Sequence, residues 1–210
     1  MRIDDDAVLW SASPADRQGR PLLVLLHGYN SHEGDLFGLA PYLPLQPVIA
    51  SLRAPIAADF GHAWFALLDE GRQRSVDQAQ SATTAVIDWL DRVWPGEASV
   101  GLLGFSQGGA MALELLRRDP DRFSYAVSLA GFALPGEREA DDRLAELAPP
   151  VFWGRGTADT VIPGDAVEHT RTWLPAHSSL DERIYEGVAH SVSEAELADV
   201  TAFVRAQYAA

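Results

Sequence analysis

A serine set among glycines gives this chain a candidate nucleophile. Residues 104–109 read Gly-Phe-Ser-Gln-Gly-Gly and satisfy the Gly-x-Ser-x-Gly pattern of a nucleophile elbow. In such an elbow the serine lies on a sharp turn, and Gly104 and Gly108 leave room where a Cβ would clash. The pattern alone has low specificity, because an ordinary glycine-rich turn also matches it.

The flanking residues strengthen this interpretation of Ser106. The apolar run Ser99–Leu103 precedes the motif, and the helix-forming run Ala110–Arg118 follows it. A strand, a tight turn and a helix are the context that the motif requires. The helix would aim its first N–H groups at a reacting carbonyl, so the pattern favours acyl transfer.

A serine hydroxyl becomes an effective nucleophile when a base removes its proton and a carboxylate orients that base. On a parallel sheet the usual chain order is Ser, then Asp or Glu, then His. Asp159 follows the apolar run Val151–Gly154 and is the predicted acid. The alternative interpretation is a turn residue or a helix cap before Pro163, and Asp165 is another cap nearby. Asp181 is a weaker rival because it precedes its predicted strand.

His190 is the predicted base. Among the six histidines of the chain, it alone lies downstream of the acid and directly after a predicted strand, Glu182–Tyr185. His32 and His62 lie in loops upstream of the serine. His27 ends an apolar strand, and we interpret it as a brace for the loop that follows.

An acyl-transfer site also needs two N–H donors directed at the developing oxyanion. In this arrangement one donor is the residue after the nucleophile, which is Gln107. The other comes from an earlier strand-end loop, here residues 27–35, in which Tyr29 is the predicted backbone donor. An ordinary Gly/Asn turn is the alternative interpretation of that loop.

The elements that must position these residues alternate between strand-length apolar runs and longer helical patterns. This alternation is typical of βα units on a mainly parallel sheet, whose ligands gather at the carboxyl ends of the strands. The predicted strands are Ala7–Trp10, Leu22–Leu26, Val48–Ser51, Val100–Phe105, Tyr125–Leu129, Val151–Gly154 and Glu182–Tyr185. The predicted helices are Asp35–Leu43, Ser75–Val93, Ala110–Arg118 and a last helix that Ser193 and Glu196 open with capping-box spacing.

Length and composition limit the function classes. At 210 residues we expect a single domain over residues 1–210. The formal charge of −14 disfavours nucleic acid and anionic membranes as partners. The chain has no cysteine, which excludes disulfides, a thiolate nucleophile and cysteine-based metal sites. We expect a cytoplasmic location, because the first residues carry no apolar signal core and no apolar run reaches membrane-spanning length.

Taken together, these motifs resemble the phospholipase/carboxylesterase family of small α/β-hydrolases, which includes the acyl-protein thioesterases and bacterial carboxylesterases. The matching stretches are Leu26-His27-Gly28-Tyr29, the pair Trp64-Phe65, the elbow with Gln107 after the serine, Gly156–Pro163 around the acid, and Gly187-Val188-Ala189-His190. The resemblance spans nearly the whole chain in the right order. It implies an α/β-hydrolase fold with a mainly parallel central sheet, helices on both faces and no large lid domain.

The chain departs from the family at two of the matched sites. Asn30 stands where many bacterial members have glycine, and asparagine tolerates a positive φ better than most residues, so we expect the turn to survive. Ser191 replaces the glutamate that commonly follows the histidine, and we expect little consequence.

Aromatic residues near the site are candidates for the walls of an acyl pocket. We predict Trp64, Phe65 and Phe132 in this role, although loop aromatics are also often simple packing. Residues Gly131–Ala148 carry many charges and are the best candidate for a short exposed flap. Without a large lid, the open site favours soluble or short-chain esters.

The sequence therefore predicts a serine carboxylic-ester hydrolase for small or medium-chain esters that works through an acyl-enzyme. It uses neither a cofactor nor a metal, acts on a small-molecule ester, and has no nucleic-acid partner and no stable membrane insertion. We expect a monomer or a homodimer. The alternatives are a lysophospholipase or acyl-thioesterase, a dienelactone-hydrolase-like enzyme, and a catalytically silent binding protein with the same fold.

Overall fold

The structure of the protein, a computed structural model, describes residues 1–67, 72–96 and 99–209. Its strands follow the predicted apolar runs. They are β1 (Leu9–Trp10), β2 (Leu22–Leu26), β3 (Val48–Leu52), β4 (Ile56–Ala57), β5 (His62–Ala63), β6 (Val100–Phe105), β7 (Phe123–Leu129), β8 (Pro150–Gly156) and β9 (Ser179–Tyr185).

The central sheet is mainly parallel, as the sequence predicts. Within the described ranges it has seven strands in the order β1-β3-β2-β6-β7-β8-β9. Only the edge strand β1 runs antiparallel to its neighbour, and the other pairings are parallel. Strands β4 and β5 form a separate small hairpin.

Helices cover both faces of this sheet, because the side chains of each strand alternate between two cores. The helices are α1 (Gly34–Phe37), α2 (Arg72–Val93), α3 (Gln107–Arg118), α4 (Asp141–Leu147), α5 (Gly164–His177) and α6 (Glu194–Ala206). On β2, Leu22, Val24 and Leu26 pack with residues of α2 and α3, whereas Leu23 and Leu25 pack with residues of α1 and α6. Each helix within the described ranges is too short or too polar to cross a bilayer.

Several element boundaries differ from the prediction, and two of the differences have evident local reasons. The first predicted strand begins two residues later, because the side chain of Asp4 accepts a hydrogen bond from the N–H of Asp6 and caps a 3₁₀ turn at Asp5–Ala7. The predicted helix over Asp35–Leu43 is divided into α1 and a 3₁₀ turn at Ala40–Tyr42. Pro41 lacks the N–H that a continuous α-helix would use there.

The register of the parallel strands gathers the motif loops at one edge. Leu26 pairs with Gly104, and Phe105 pairs with Leu129. Leu129 in turn pairs with Gly154. The chain segments that leave β2, β6, β7 and β8 therefore emerge side by side at the carboxyl edge of the sheet.

The segment Gly131–Ala148 is packed against the body of the protein, in contrast to the exposed flap that its charges suggest. The guanidinium of Arg117, only 1% exposed, donates to the carbonyl oxygens of Leu134 and Gly136 and to both carboxylate oxygens of Asp141. Glu114 accepts from Arg117 and Arg138. Arg138 and Asp141 therefore hold the segment in place, whereas its charged residues Glu137, Glu139 and Asp142 are exposed.

We expect Arg117→Met to lower the free energy of unfolding by about 3 to 5 kcal/mol, because removing one partner leaves buried carboxylate and carbonyl groups unpaired. Arg118→Met is the matched control, since Arg118 is exposed on the same helix. It should change the free energy of unfolding by no more than about 0.5 kcal/mol. Urea unfolding measures both values, and equal stabilities would contradict the role of Arg117.

Candidate active site

Ser106 lies on a strained turn between β6 and α3. Its backbone has φ 55° and ψ −118°, a conformation that side-chain-bearing residues rarely adopt. A Cβ at Gly104 would meet the carbonyl of Gly108, and a Cβ at Gly108 would meet the carbonyl of Leu26, so both glycines are required by close approach. The N–H of Ser106 donates to the carbonyl of Leu129 at 2.7 Å and fixes the turn to β7.

Three predicted residues from separate loops meet at this turn. His190 Nδ1 lies 2.7 Å from Asp159 Oδ2, and His190 Nε2 lies 2.9 Å from Ser106 Oγ. An ionised carboxylate can only accept, so Nδ1 carries the proton and Nε2 is free to accept from the serine hydroxyl. This is the tautomer that a general base for Ser106 needs.

The acid and the base are held from several sides. Asp159 Oδ1 accepts the backbone N–H groups of Val161 at 2.8 Å and Ile162 at 3.3 Å, which leaves Oδ2 for the histidine. The Asp159 side chain is 7% exposed and that of His190 is 18% exposed. The ring of Phe105 packs against the imidazole, with 4.9 Å between the two ring centroids. The imidazole therefore has restricted freedom to rotate while it keeps an accessible edge.

The structure separates Asp159 from its sequence rivals. Asp181 lies within β9 rather than before it, and its carboxylate pairs with Arg183 at 2.7 Å. Asp165 lies in the first turn of α5. The Nδ1 of His190 is bonded to Asp159.

The two predicted oxyanion donors are the residue that follows Ser106 and the residue that follows Gly28. In the described part of the chain, the backbone N–H groups of Tyr29 and Gln107 donate to no protein acceptor. Gly28 lies against the serine, since a Cβ on Gly28 would be 3.6 Å from Ser106 Cβ. Asn30 adopts φ 58°, the positive value that its tolerance allows. Both N–H groups are therefore available for a ligand beside the hydroxyl.

His27 is buried and braces the loop that carries Tyr29. Its Nε2 accepts the N–H of Ala54 at 3.1 Å, which requires the proton on Nδ1, and Nδ1 donates to the carbonyl of Gly28 at 2.7 Å. Burial lowers the pKa of His27 below its usual value, which keeps the ring neutral and preserves this pattern.

The predicted pocket aromatics lie in the core. Trp64 is 0% exposed, Phe65 is 2% exposed and Phe132 is 6% exposed, and all three belong to the core cluster between the sheet and α2 and α3. Tyr29, in contrast, is 40% exposed. A contact between the three aromatics and an acyl group stays a prediction.

Sequence reasoning missed the role of the Gln107 side chain. Its Oε1 accepts the N–H of Trp64 at 2.8 Å and its Nε2 donates to the carbonyl of Phe65 at 2.7 Å. The only signal was the choice of glutamine after the serine, which has no evident purpose until the fold brings residues 64 and 65 beside it.

Helix α6 follows the histidine loop and begins with the predicted cap. Ser193 Oγ accepts the N–H of Glu196 at 3.1 Å. Glu196 is buried against Gly154, which the capping pattern did not indicate, and burial raises the pKa of its carboxyl to about 7. Val200 and Val204 are buried, whereas Leu197 and Phe203 are half-buried.

Comparisons with known proteins agree on one family. A family model described as Phospholipase/Carboxylesterase matches residues 11–208. Acyl-protein thioesterase 1 of Kluyveromyces lactis is 29% identical over a match that spans 97% of this chain and 97% of that protein. Acyl-protein thioesterase 1 of Candida albicans is 38% identical over a match that spans 49% of this chain and 47% of that protein.

A solved structure has the same architecture. The carboxylesterase from Mesorhizobium loti superposes with a TM-score of 0.79, at 23% identity, over 97% of both chains. At that identity the likeness shows the fold, and it confirms the predicted α/β-hydrolase architecture.

The strain at Ser106 predicts an unusual order of stability. We expect Ser106→Gly to have a free energy of unfolding about 1 kcal/mol higher than that of Ser106→Ala. Both variants lack the hydroxyl, but the positive φ at this position is strained for alanine and not for glycine. The control pair is Ser81→Gly and Ser81→Ala on α2, where the order should reverse by about 1 kcal/mol. Urea unfolding gives all four values. An alanine variant at residue 106 that is as stable as the glycine variant would show that this turn stores no strain.

Proposed function

The chain belongs to the phospholipase/carboxylesterase family of hydrolases, and we propose that it is a serine carboxylic-ester hydrolase that acts through an acyl-enzyme. One observation carries the proposal: the continuous hydrogen-bonded chain from Ser106 Oγ through the imidazole of His190 to Asp159. A serine with this pair of neighbours can be deprotonated as it attacks a carbonyl carbon.

In the proposed first half-reaction, Ser106 Oγ forms a bond to the ester carbonyl carbon while its proton passes to His190 Nε2. The carbonyl oxygen takes the negative charge and accepts hydrogen bonds from the backbone N–H groups of Tyr29 and Gln107. Asp159 stabilises the imidazolium and keeps its orientation. The C–O bond to the leaving group then breaks, the alkoxide takes the proton from His190, and an acyl-enzyme remains.

In the second half-reaction a water molecule attacks the acyl carbon and gives its proton to His190 Nε2. The same two N–H groups hold the second oxyanion. The bond between the acyl carbon and Ser106 Oγ breaks, the hydroxyl recovers its proton from His190, and the carboxylic acid leaves. The imidazole thus serves as base and acid in turn, which requires the neutral tautomer described above.

We assign small and medium-chain esters as substrates. The absence of a helical lid in the described ranges supports this assignment. The burial of Trp64, Phe65 and Phe132 supports it as well, since these side chains present little apolar surface for a long chain. The proposal includes one domain over residues 1–210, a cytoplasmic location, and a monomer or a homodimer.

Acyl-thioester hydrolysis is the second candidate. The observation that favours it is the similarity to two proteins named acyl-protein thioesterase 1. Thioesters and oxygen esters pass through the same kind of oxyanion, so the same residues serve both. A lysophospholipase is a further alternative, whereas a silent binding protein would not need all three hydrogen-bonded residues.

Hydrolysis of p-nitrophenyl acetate, butyrate, octanoate and palmitate, and of an octanoyl thioester, tests this proposal. We expect Ser106→Ala to lose at least about 10⁴-fold in kcat, because the nucleophile is absent. Ser191→Ala is the matched control, since Ser191 is an exposed serine next to His190, and it should stay near wild type. Comparable hydrolysis by Ser106→Ala would rule out the nucleophile. Faster cleavage of the octanoyl thioester than of the octanoate ester would favour the second candidate.

The pH profile tests the base. We expect kcat/KM to fall in acid solution, because a protonated imidazole cannot accept the serine proton. The measurement is butyrate ester hydrolysis by wild type, with a folding check by circular dichroism at each pH. A profile that stays flat down to about pH 5 would exclude a histidine base in this reaction.

A further inference from the structure

We propose that the Trp64–Phe65 segment is a brace that fixes the spacing of the two oxyanion donors, with the side-chain amide of Gln107 and the indole N–H of Trp64 as its positioning groups. This inference rests on the proposed function, which makes Tyr29 and Gln107 the donors. It gives these two aromatics a role different from a pocket wall, because they contact the backbone beside the donors.

One end of the brace lies at Gln107. This residue begins α3, so its backbone N–H has no acceptor within the helix and stays directed at the site. Its side-chain amide bonds to the N–H of Trp64 and to the carbonyl of Phe65. The amide and the donor N–H share one Cα. Fixing the side chain therefore restricts the donor as well.

The other end reaches the loop that carries Tyr29. Trp64 Nε1 donates to the carbonyl of His27 at 2.9 Å, and the ring of His27 donates to the carbonyl of Gly28. The described peptide bonds are trans, so the N–H of Tyr29 points away from the Gly28 carbonyl. Holding that carbonyl on the His27 side turns the N–H of Tyr29 away from His27.

The burial of the brace gives these hydrogen bonds their value. Gln107, Trp64, Phe65 and His27 are all buried, so no water replaces a lost bond without a structural change. Both donors are thus tied to one short stretch of backbone, one through Gln107 and the other through Trp64. A shift of the stretch would move the donors relative to each other.

A neighbouring contact on the same stretch supplies a matched control. Gln78, on α2, accepts the N–H of Ala66 at 2.8 Å through its Oε1. This hydrogen bond holds the backbone just after the brace, and it involves neither Tyr29 nor Gln107. Gln78→Met therefore loosens the same stretch without releasing Gln107 or His27.

The experiment compares Trp64→Phe and Gln107→Met with Gln78→Met and wild type. Trp64→Phe keeps one aromatic ring at this buried position and removes the indole donor with the five-membered ring that carries it, so it decides the question if Gln107→Met fails to fold. The measurements are kcat and KM for p-nitrophenyl butyrate, and the Ki of butaneboronic acid, whose tetrahedral adduct with serine places an oxygen at the donors. Ki does not depend on the fraction of enzyme that is folded, which separates geometry from stability.

We expect Trp64→Phe and Gln107→Met to lose about 10- to 100-fold in kcat, with KM within about twofold and Ki raised by the same factor as kcat falls. Gln78→Met should keep kcat and Ki. A folded Trp64→Phe with wild-type kcat and Ki would overturn the brace, and so would an equal loss in Gln78→Met. Wild type that is no more active than Ser106→Ala would instead overturn the proposed function and the brace with it.

Discussion

The close approach of backbone between β2 and the turn after β6 is the constraint on which the site depends. Gly108 lies directly against the carbonyl of Leu26, and Leu26 pairs with Gly104 across the two strands. The chain that leaves β2 must therefore pass beside Ser106. This contact brings the loop after β2 and the turn at Ser106 together although they are far apart in sequence, as the proposed mechanism requires. The strained φ of Ser106 is the cost of the arrangement.

Buried polar groups around this contact work as a scaffold. A backbone N–H or carbonyl that is buried without a partner costs about 1 to 3 kcal/mol, so each buried group at the elbow needs a specific acceptor or donor. His27, Gln107 and Trp64 supply them. The consequence is a set of hydrogen bonds that favours one arrangement of the loops, which is what a preorganised oxyanion site requires. Chemistry and folding therefore use the same polar groups.

Buried charged side chains stabilise the packing of α3 against α4. The chain is acidic overall, with a formal charge of −14, and a run of charged residues in such a chain suggests a solvated surface. Arg117 reverses that expectation for the segment after β7, because its guanidinium has enough donors to bind two carbonyls and two carboxylates at once. The segment after β7 is consequently held against α3.

The sequence by itself determined the fold class, the strand order along the chain and the choice of Ser106, Asp159 and His190 as candidates, because periodicity and turn residues act over short distances. It also predicted the cap at Ser193, which depends on neighbours three residues apart. The burial of Trp64 and Phe65, the anchoring by Arg117 and the two bonds of the Gln107 side chain were decided by the tertiary structure alone. Each of these features depends on a partner that is distant in sequence. The physical reason is that the packing of the sheet and helices, rather than the type of a side chain, decides which partner that side chain meets.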